Sequence, residues 1–545
     1  MATYMTPGVY VEEIPARNKP IEGVSTSTAA FIGLAPGGPL NRPEKITDWS
    51  QFERIYGDPD HPERGPYMEG AYLAHAVRGF FANQGTECWV VRVGGAGQPR
   101  VALPDERHKV AVYEATALPE VDEEVRLELT LDPPTLAPAK GAPNGAGPKP
   151  AGAEQADTEA AGAGAAAKQD RGLPPPTYTL VVTAGTTHEK FEHVEASALV
   201  AIVTEGDDKS EPAIPKSALI ALERLPVEES LLPAADTYRL SARPKLVAEV
   251  EANEIEGSAA DRSGLGSLSA IEDISIVCVP DLMSVAKTDT ELRDLQDKVI
   301  AHCEEMADRV AVLDTPPDMR PTEALAWRVN EAGYDFKQAT LYYPWLEVMD
   351  PLSKFPTLIP PCGHVAGVWA RTDKTRGVHK APANEAIMAI TGLGYQVTDV
   401  EQGQLNRAGL NCIRSFPGRG IKVWGARTLS YDPEWRYLNV RRLFNYVSDS
   451  IMRGTQWAVF EPNDERLWIQ LQIAVSNFLT IAWRNGALFG ATPDQAFYVK
   501  CDSQTNPPEL IELGQVVTEI GIAPVKPAEF VVFRISQYTA GEGAA

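Results

Sequence analysis

The sequence lacks the short motifs that usually carry chemistry. Its six cysteines, Cys88, Cys278, Cys303, Cys362, Cys412 and Cys501, are scattered over 545 residues with no CxxC among them. In a chain this long such spacing reads as reduced, mostly buried thiols. There is no GxxxxGK[ST], no GxSxG and no HExxH, and Thr391-Gly392-Leu393-Gly394-Tyr395 stops short of the third glycine of GxGxxG. No run of about 18 apolar residues is present, so no membrane span is expected. Residues 1–8 carry neither a basic region nor an apolar one, so no signal peptide is expected, and folding in a cytoplasm is. Positive charge is also short. Lys and Arg number 50 against 74 Asp and Glu, a formal net charge of −24. Such a surface repels phosphate, which argues against a nucleic-acid binder and against a polybasic membrane binder.

What is present is ordinary globular composition, 44% hydrophobic and 23% charged, with a length that suggests three or four domains. Residues 1–24 read as an extended arm. Pro7, Pro15 and Pro20 forbid a continuous helix, and Val9, Tyr10, Val11 and Ile14 are strand formers. Residues 25–94 form a compact α/β unit. Ala29-Ala30-Phe31-Ile32-Gly33 is a buried strand, Asp48 to Gln51 reads as a helix start, and Cys88-Trp89-Val90-Val91 is a further strand. Residues 95–268 break the pattern with an acidic, β-rich insertion. Its centre, about 133–176, is rich in Ala, Pro and Gly, and is expected to be a disordered loop.

Residues 269–360 alternate strand and helix, a βαβ rhythm that predicts a parallel sheet. Residues 361–528 add helices near 434–452 and 464–485. Residues 529–536 then read as a strand followed only by a Gly/Ala tail. The expected fold is therefore multidomain, α/β and α+β, with strand-like segments at both ends.

Candidate chemistry is thin. Asp281 and Asp314 follow two strands of the parallel sheet, where an α/β enzyme would place its carboxylates. The turn after Val279 has no phosphate-cradling glycines, so capping of turns or helices is the expected role of both. His302 and Cys303 are adjacent and point to different helix faces, and Cys362 with His364 has no second pair nearby, so no metal or other cofactor is expected. One region runs against the overall charge. Residues 361–460 hold 13 basic against 7 acidic residues. Arg419, Lys422, Arg436, Arg441 and Arg442 lie there and are candidates for contact with an acidic protein surface.

Several stretches then identify a family. Pro7-Gly8-Val9-Tyr10-Val11-Glu12-Glu13 resembles the opening of contractile tail sheath proteins. So do Gly367-Val368-Trp369-Ala370-Arg371-Thr372-Asp373, the run from Arg376 to Glu385, Leu405-Asn406-Arg407-Ala408-Gly409-Leu410-Asn411, the run from Gly420 to Leu429, Phe460-Glu461-Pro462-Asn463, and Pro527-Ala528-Glu529-Phe530-Val531-Val532. His379 stands where an aromatic is usual and Arg407 where proline is. The likeness covers residues 1–94 and 270–545, not 95–268.

The resemblance implies a structural role without catalysis. Subunits would stack as hexameric rings around an inner tube, between a baseplate and a terminal cap protein, and contract to drive the tube through an envelope. It implies a C-terminal domain that accepts strands from neighbouring subunits, and an outward-facing insertion. The exchanged residues would be Val9, Tyr10, Val11 and Ile14 at one end, and Phe530, Val531, Val532, Phe533 and Ile535 at the other. The basic residues named above would meet the tube or a neighbour. An α/β enzyme using Asp281 and Asp314 is the alternative. The particle could be a phage tail, a tailocin or an extracellular injection system.

Overall fold

Alternate residues of the Ala29-to-Gly33 run are destined for opposite faces of a sheet, because side chains alternate along a strand. All five residues are buried, which requires cover on both faces. The computed structural model shows that cover. It describes residues 20–534 apart from 60, 96, 98, 108, 119–123, 134–175, 196–198, 200–216, 229, 230 and 241–243. The chain divides into two compact units, residues 1–95 with 244–545, and residues 96–243.

The first unit is built on a nine-stranded sheet. Its strands are β1 (Ala29–Gly33), β2 (Glu44–Ile46), β3 (Cys88–Arg92), β4 (Ile276–Cys278), β5 (Val310–Asp314), β6 (Ala339–Tyr343), β7 (Glu385–Ala386), β8 (Leu410–Phe416) and β9 (Gly420–Val423). The order across the sheet is β7-β9-β8-β6-β5-β4-β1-β3-β2. Strands β3, β1, β4, β5, β6 and β8 run parallel, while β2 pairs antiparallel with β3 at one edge and β9 pairs antiparallel with both β8 and β7 at the other. Strands from 385–423 thus extend the sheet started by 25–94 and 269–360, and the sheet crosses the boundary that the sequence suggests at 361.

Ala29, Phe31, Cys88, Val90, Ile276 and Val310 face one layer, with helices α1 (Trp49–Tyr56), α2 (Leu73–Ala82) and α4 (Cys362–Arg376). Ala30, Ile32, Val91, Val277 and Ala311 face the other, with α3 (Asp289–Met306). Helix starts follow local chemistry. Asp48 accepts from the Gln51 N–H at 2.9 Å, while the Gln51 side chain accepts from the Thr47 N–H at 2.9 Å. Thr288 caps α3 by accepting from the Glu291 N–H.

Two further helices, α5 (Leu438–Gly454) and α6 (Glu465–Arg484), pack through Leu443, Val447, Val475, Phe478 and Leu479. A two-stranded sheet, β10 (Phe497–Lys500) with β11 (Glu519–Ile522), joins that cluster through Phe497, Val499, Ile520 and Ile522. Asp464 caps α6 by accepting from the N–H groups of Arg466 and Leu467.

The second unit is all-β among its described residues. Val125–Leu131, Thr177–Ala184, Thr187–Glu195 and Thr237–Arg239 form one sheet; Arg100–Pro104, Ala111–Ala117 and Ile220–Arg224 form another. Alternate residues such as Val125, Leu127, Leu180, Val182, Ile220 and Leu222 make its core. The loop expected at 133–176 lies almost wholly outside the described residues.

Candidate functional site

Asp281 lies just after β4 and Asp314 is the last residue of β5, both at the C-terminal end of the parallel strands, as the sequence suggests. Their carboxylates are already occupied by backbone. Asp281 Oδ2 accepts from the Leu34 N–H at 2.6 Å, and its Oδ1 accepts from the Tyr72 N–H. A Cβ at Gly33 would lie 2.3 Å from Asp281 Oδ2, so only glycine admits the carboxylate there. Asp314 Oδ1 accepts from the Cys362 N–H at 2.9 Å, at the start of α4. Both side chains are buried, and each ties the end of one strand to the start of another segment. Burial pushes Asp281 up to about 7, against hydrogen bonds from Tyr72, Leu34 and Leu73 that pull it down. Burial pushes Asp314 up to about 7 as well, against its bond from Cys362.

The linkage has a definite sign. A carboxyl raised in the folded state adds stability that is full below its unfolded value and lost as pH rises through about 7. Half-buried His75 and buried His302 and His364, each lowered by burial to about 4, act in the opposite sense: their contribution is lost as pH falls from 6.5 towards 4. The Asp281 effect is therefore read as a difference between proteins. Asp281→Asn is expected to cost about 1–3 kcal/mol near pH 5, because a backbone N–H loses its acceptor. The gap in urea midpoint between wild type and variant should shrink from pH 5 to pH 8. A gap that widens over that range would contradict it.

All six cysteines are buried and free. Among the described residues no group of three or more His, Cys, Asp or Glu is placed to hold a metal. No described helix is long and apolar enough to cross a membrane.

The basic candidates separate sharply. Arg419 is exposed at the tip of the β8–β9 hairpin, its guanidinium 4.9 Å from the Phe416 ring. Lys422 on β9 donates to Asn384 Oδ1 at 2.9 Å, and Arg436 is half-buried. Arg441 and Arg442, by contrast, are 8% and 3% exposed on α5. Arg441 donates to Asn445 Oδ1 at 2.9 Å and lies 4.5 Å from the Trp435 ring; burial lowers it to about 10. Arg442 makes a two-pronged ion pair with Asp373, at 3.0 and 2.5 Å, donates to Thr26 O at 2.8 Å, and covers the Trp369 ring at 4.7 Å. Both arginines are committed inside the subunit, which removes them from the candidate contact set. Charge on a helix was legible in the sequence; which face turned inward was not, because Asp373 lies about 70 residues upstream.

The terminal candidates divide likewise. Val9, Tyr10, Val11, Ile14 and Ile535 lie outside the described residues. Phe530, Val531, Val532 and Phe533 are 74%, 69%, 78% and 84% exposed and belong to no strand in this chain. Over the described residues 530–534 no strand forms, because among the described residues no edge pairs with their N–H and C=O groups. Four consecutive large apolar side chains in water mark an interaction segment. Glu529, just before it, carries contacts that no local pattern in the sequence specifies. Its carboxylate accepts from Arg427 Nε at 2.9 Å and Nη2 at 2.6 Å, from Asn406 Nδ2 at 2.7 Å, and from the Tyr437 hydroxyl at 3.3 Å. The available signal was an acidic residue opening an apolar terminal run in a chain with several distant basic partners.

The whole fold is similar to that of contractile sheath subunits. The sheath protein of an extracellular contractile injection system, PVC, in its contracted state, aligns over 99% of both chains with a TM-score of 0.54 and 21% identity. The contracted helical sheath of the anti-feeding prophage aligns over 98% of this chain and 100% of that one, with a TM-score of 0.54 and 20% identity. At the level of sequence, the family model for the phage tail sheath protein central domain matches residues 257–429, and that for the phage tail sheath C-terminal domain matches 430–537. Together they span more than half of the chain. The chain belongs to the phage tail sheath family. It is 27% identical over 230 residues to a putative prophage major tail sheath protein of Pseudomonas aeruginosa, covering 42% of this chain and 57% of that protein. It is 25% identical over 177 residues to the tail sheath protein of Enterobacteria phage T4, covering 32% and 26%. These matched regions are thus well short of the relatives' full length.

Proposed function

We propose that the chain is the subunit of a contractile sheath. Copies stack as hexameric rings around an inner tube, and a rearrangement of the stack drives the tube through a target envelope. The observation that carries this is the exposed apolar segment at residues 530–533, in a member of the tail sheath family. In the assembly this segment and residues 9–14 add strands to a neighbour's sheet, for which the two-stranded β10–β11 sheet offers a short acceptor. Arg419, Lys422 and Arg436 are the basic residues left to meet the tube or a neighbour. The baseplate and a terminal cap bound the polymer, and no catalytic step is needed. Negative-stain microscopy of the chain expressed with its tube protein tests the proposal. Long striated cylinders are expected; dispersed globules at assembling concentrations would refute it.

The long segment within the second unit should be dispensable for this role. Leu131 pairs with Tyr178, and the Asp132 N–H donates to Thr177 O at 2.9 Å, so the chain leaves and re-enters at adjacent points. A short Gly/Asn turn can close that gap. Replacing residues 134–175 with such a turn is expected to leave cylinder length unchanged and the melting temperature within about 2 °C. Loss of cylinders would assign the segment a role in assembly.

A further inference from the structure

Both ends of the described chain are pinned to one continuous element. At the C-terminal end Glu529 is held by the two-pronged Arg427 contact, by Asn406 and by Tyr437, and the chain is exposed immediately beyond it. Four residues earlier, Val525 O accepts from Asn439 Nδ2 at 3.0 Å. Arg427 and Tyr437 are themselves joined by an antiparallel bridge. At the N-terminal end Ile21 is buried against the cluster that contains α5. Gly23 lies so close to the Tyr446 ring that a Cβ would meet the hydroxyl at 2.1 Å. The Val24 N–H donates to Ser450 Oγ at 3.1 Å, and Thr26 Oγ1 donates to Asp373 Oδ2 at 2.6 Å within the Arg442 ion pair. Apart from Asn406, Asp373, and Val378 with the α6 and following side chains in the Ile21 cluster, these partners lie between residues 427 and 454.

We infer that residues 427–454 form the tie that carries tension between the two arms, with Glu529 as the latch that fixes where the C-terminal arm leaves the body. This rests on the sheath reading given above. A pull on the segment at 530–534 enters the subunit at Arg427 and Tyr437. It passes along α5 and leaves through residues 20–28. The route touches the nine-stranded sheet only at its margins, where Asn411 on β8 pairs with the Arg427 backbone, the Leu429 N–H donates to Ala339 O, and Thr28 O accepts from the Ser275 and Ile276 N–H groups. The latch contacts are charge-assisted and two-pronged, which gives them direction as well as strength. An apolar arm free to swing from a point near residue 523 would lose orientation; one held at 529 presents Phe530 to Phe533 from a fixed origin.

Glu529 is partly exposed, so its replacement leaves the fold intact and the latch can be tested alone. In purified wild-type subunit, hydrogen exchange at the Val525 N–H, which donates to Ala487 O at 3.3 Å, should be slower than in Glu529→Gln, by roughly tenfold or more, with an unchanged melting temperature. Mixed with tube protein, Glu529→Gln should give markedly shorter cylinders, and Glu529→Arg almost none. The swap Arg427→Glu with Glu529→Arg should restore both exchange protection and length. Wild-type exchange in Glu529→Gln, or full-length cylinders from Glu529→Arg alone, overturns the inference. The exchange measurement uses the unassembled subunit, so a wild-type protein that makes no cylinders would refute the sheath reading while leaving the latch testable.

Discussion

Ending the chain after Glu529 is expected to give a folded subunit that forms no long cylinders. Residues 530–534 make no strand and cover no core in this chain, so their loss costs the fold almost nothing. Their loss to the polymer is large. Burying four large apolar side chains is worth roughly 1.5–3 kcal/mol each, and each added ladder bond about 0.5–1.5 kcal/mol. Ordering the arm offsets part of this. Even a net loss of about 4 kcal/mol weakens each junction about a thousandfold, and a long polymer repeats that junction at every subunit. A cut after Ala528 removes the latch too and should be no better. Removing residues 1–19 is the matching test at the other end, since residues 20–28 keep their own anchors at Ser450 of α5 and Asp373 of α4. Circular dichroism and thermal melting should match wild type, with microscopy as the readout. Normal cylinders from either truncation would show that these arms do not link subunits.

The legible parts of the fold were those written in local pattern. The helix expected near 464–485 is found at Glu465–Arg484, and the one near 434–452 at Leu438–Gly454. The strand at Ala29–Gly33 stands where a continuous apolar run placed it, because strands covered on both faces need apolar residues at every position. Within 269–360, where strand and helix are expected to alternate, the helix that begins at Pro321 opens into a wider turn over Trp327–Ala332. What the sequence could not supply was pairing at long range. Arg442 and Arg419 look alike as letters; one meets Asp373 under a tryptophan and the other stands at a hairpin tip. Glu529 and Arg427 sit in two stretches that each resemble the family, about a hundred residues apart, and only folding shows that they touch. The candidate site was therefore half legible. The apolar terminal run could be read directly, while the latch behind it and the inward turn of the arginines depended on tertiary contacts.

Breaking the Arg442/Asp373 pair should produce the largest stability loss of any single substitution in the basic region. Side-chain exposure is 3% for Arg442 and 4% for Asp373, so neither charge has water to fall back on. Arg442→Ala leaves a buried carboxylate unpaired, removes the donor to Thr26 O, and opens space over Trp369. Breaking one partner of a buried pair costs about 3–5 kcal/mol. Asp373→Asn should cost less, because Thr26 Oγ1 and the guanidinium can still donate to the amide oxygen. Arg442→Lys keeps the charge but loses the two-pronged geometry and should fall between them. Arg442→Glu places two carboxylates in one buried site and should not fold. Arg419→Glu, at the exposed hairpin tip, is the control and should shift stability by less than about 0.5 kcal/mol. The double variant Arg442→Met with Asp373→Leu should recover much of the loss, since matched apolar groups can replace a buried pair at little net cost. Urea denaturation of the unassembled subunits reads all of these. If Arg442→Ala unfolds within about 1 kcal/mol of wild type, the pair does not hold residues 20–28 against α5, and the N-terminal anchor must lie in Ile21 and Val24 alone.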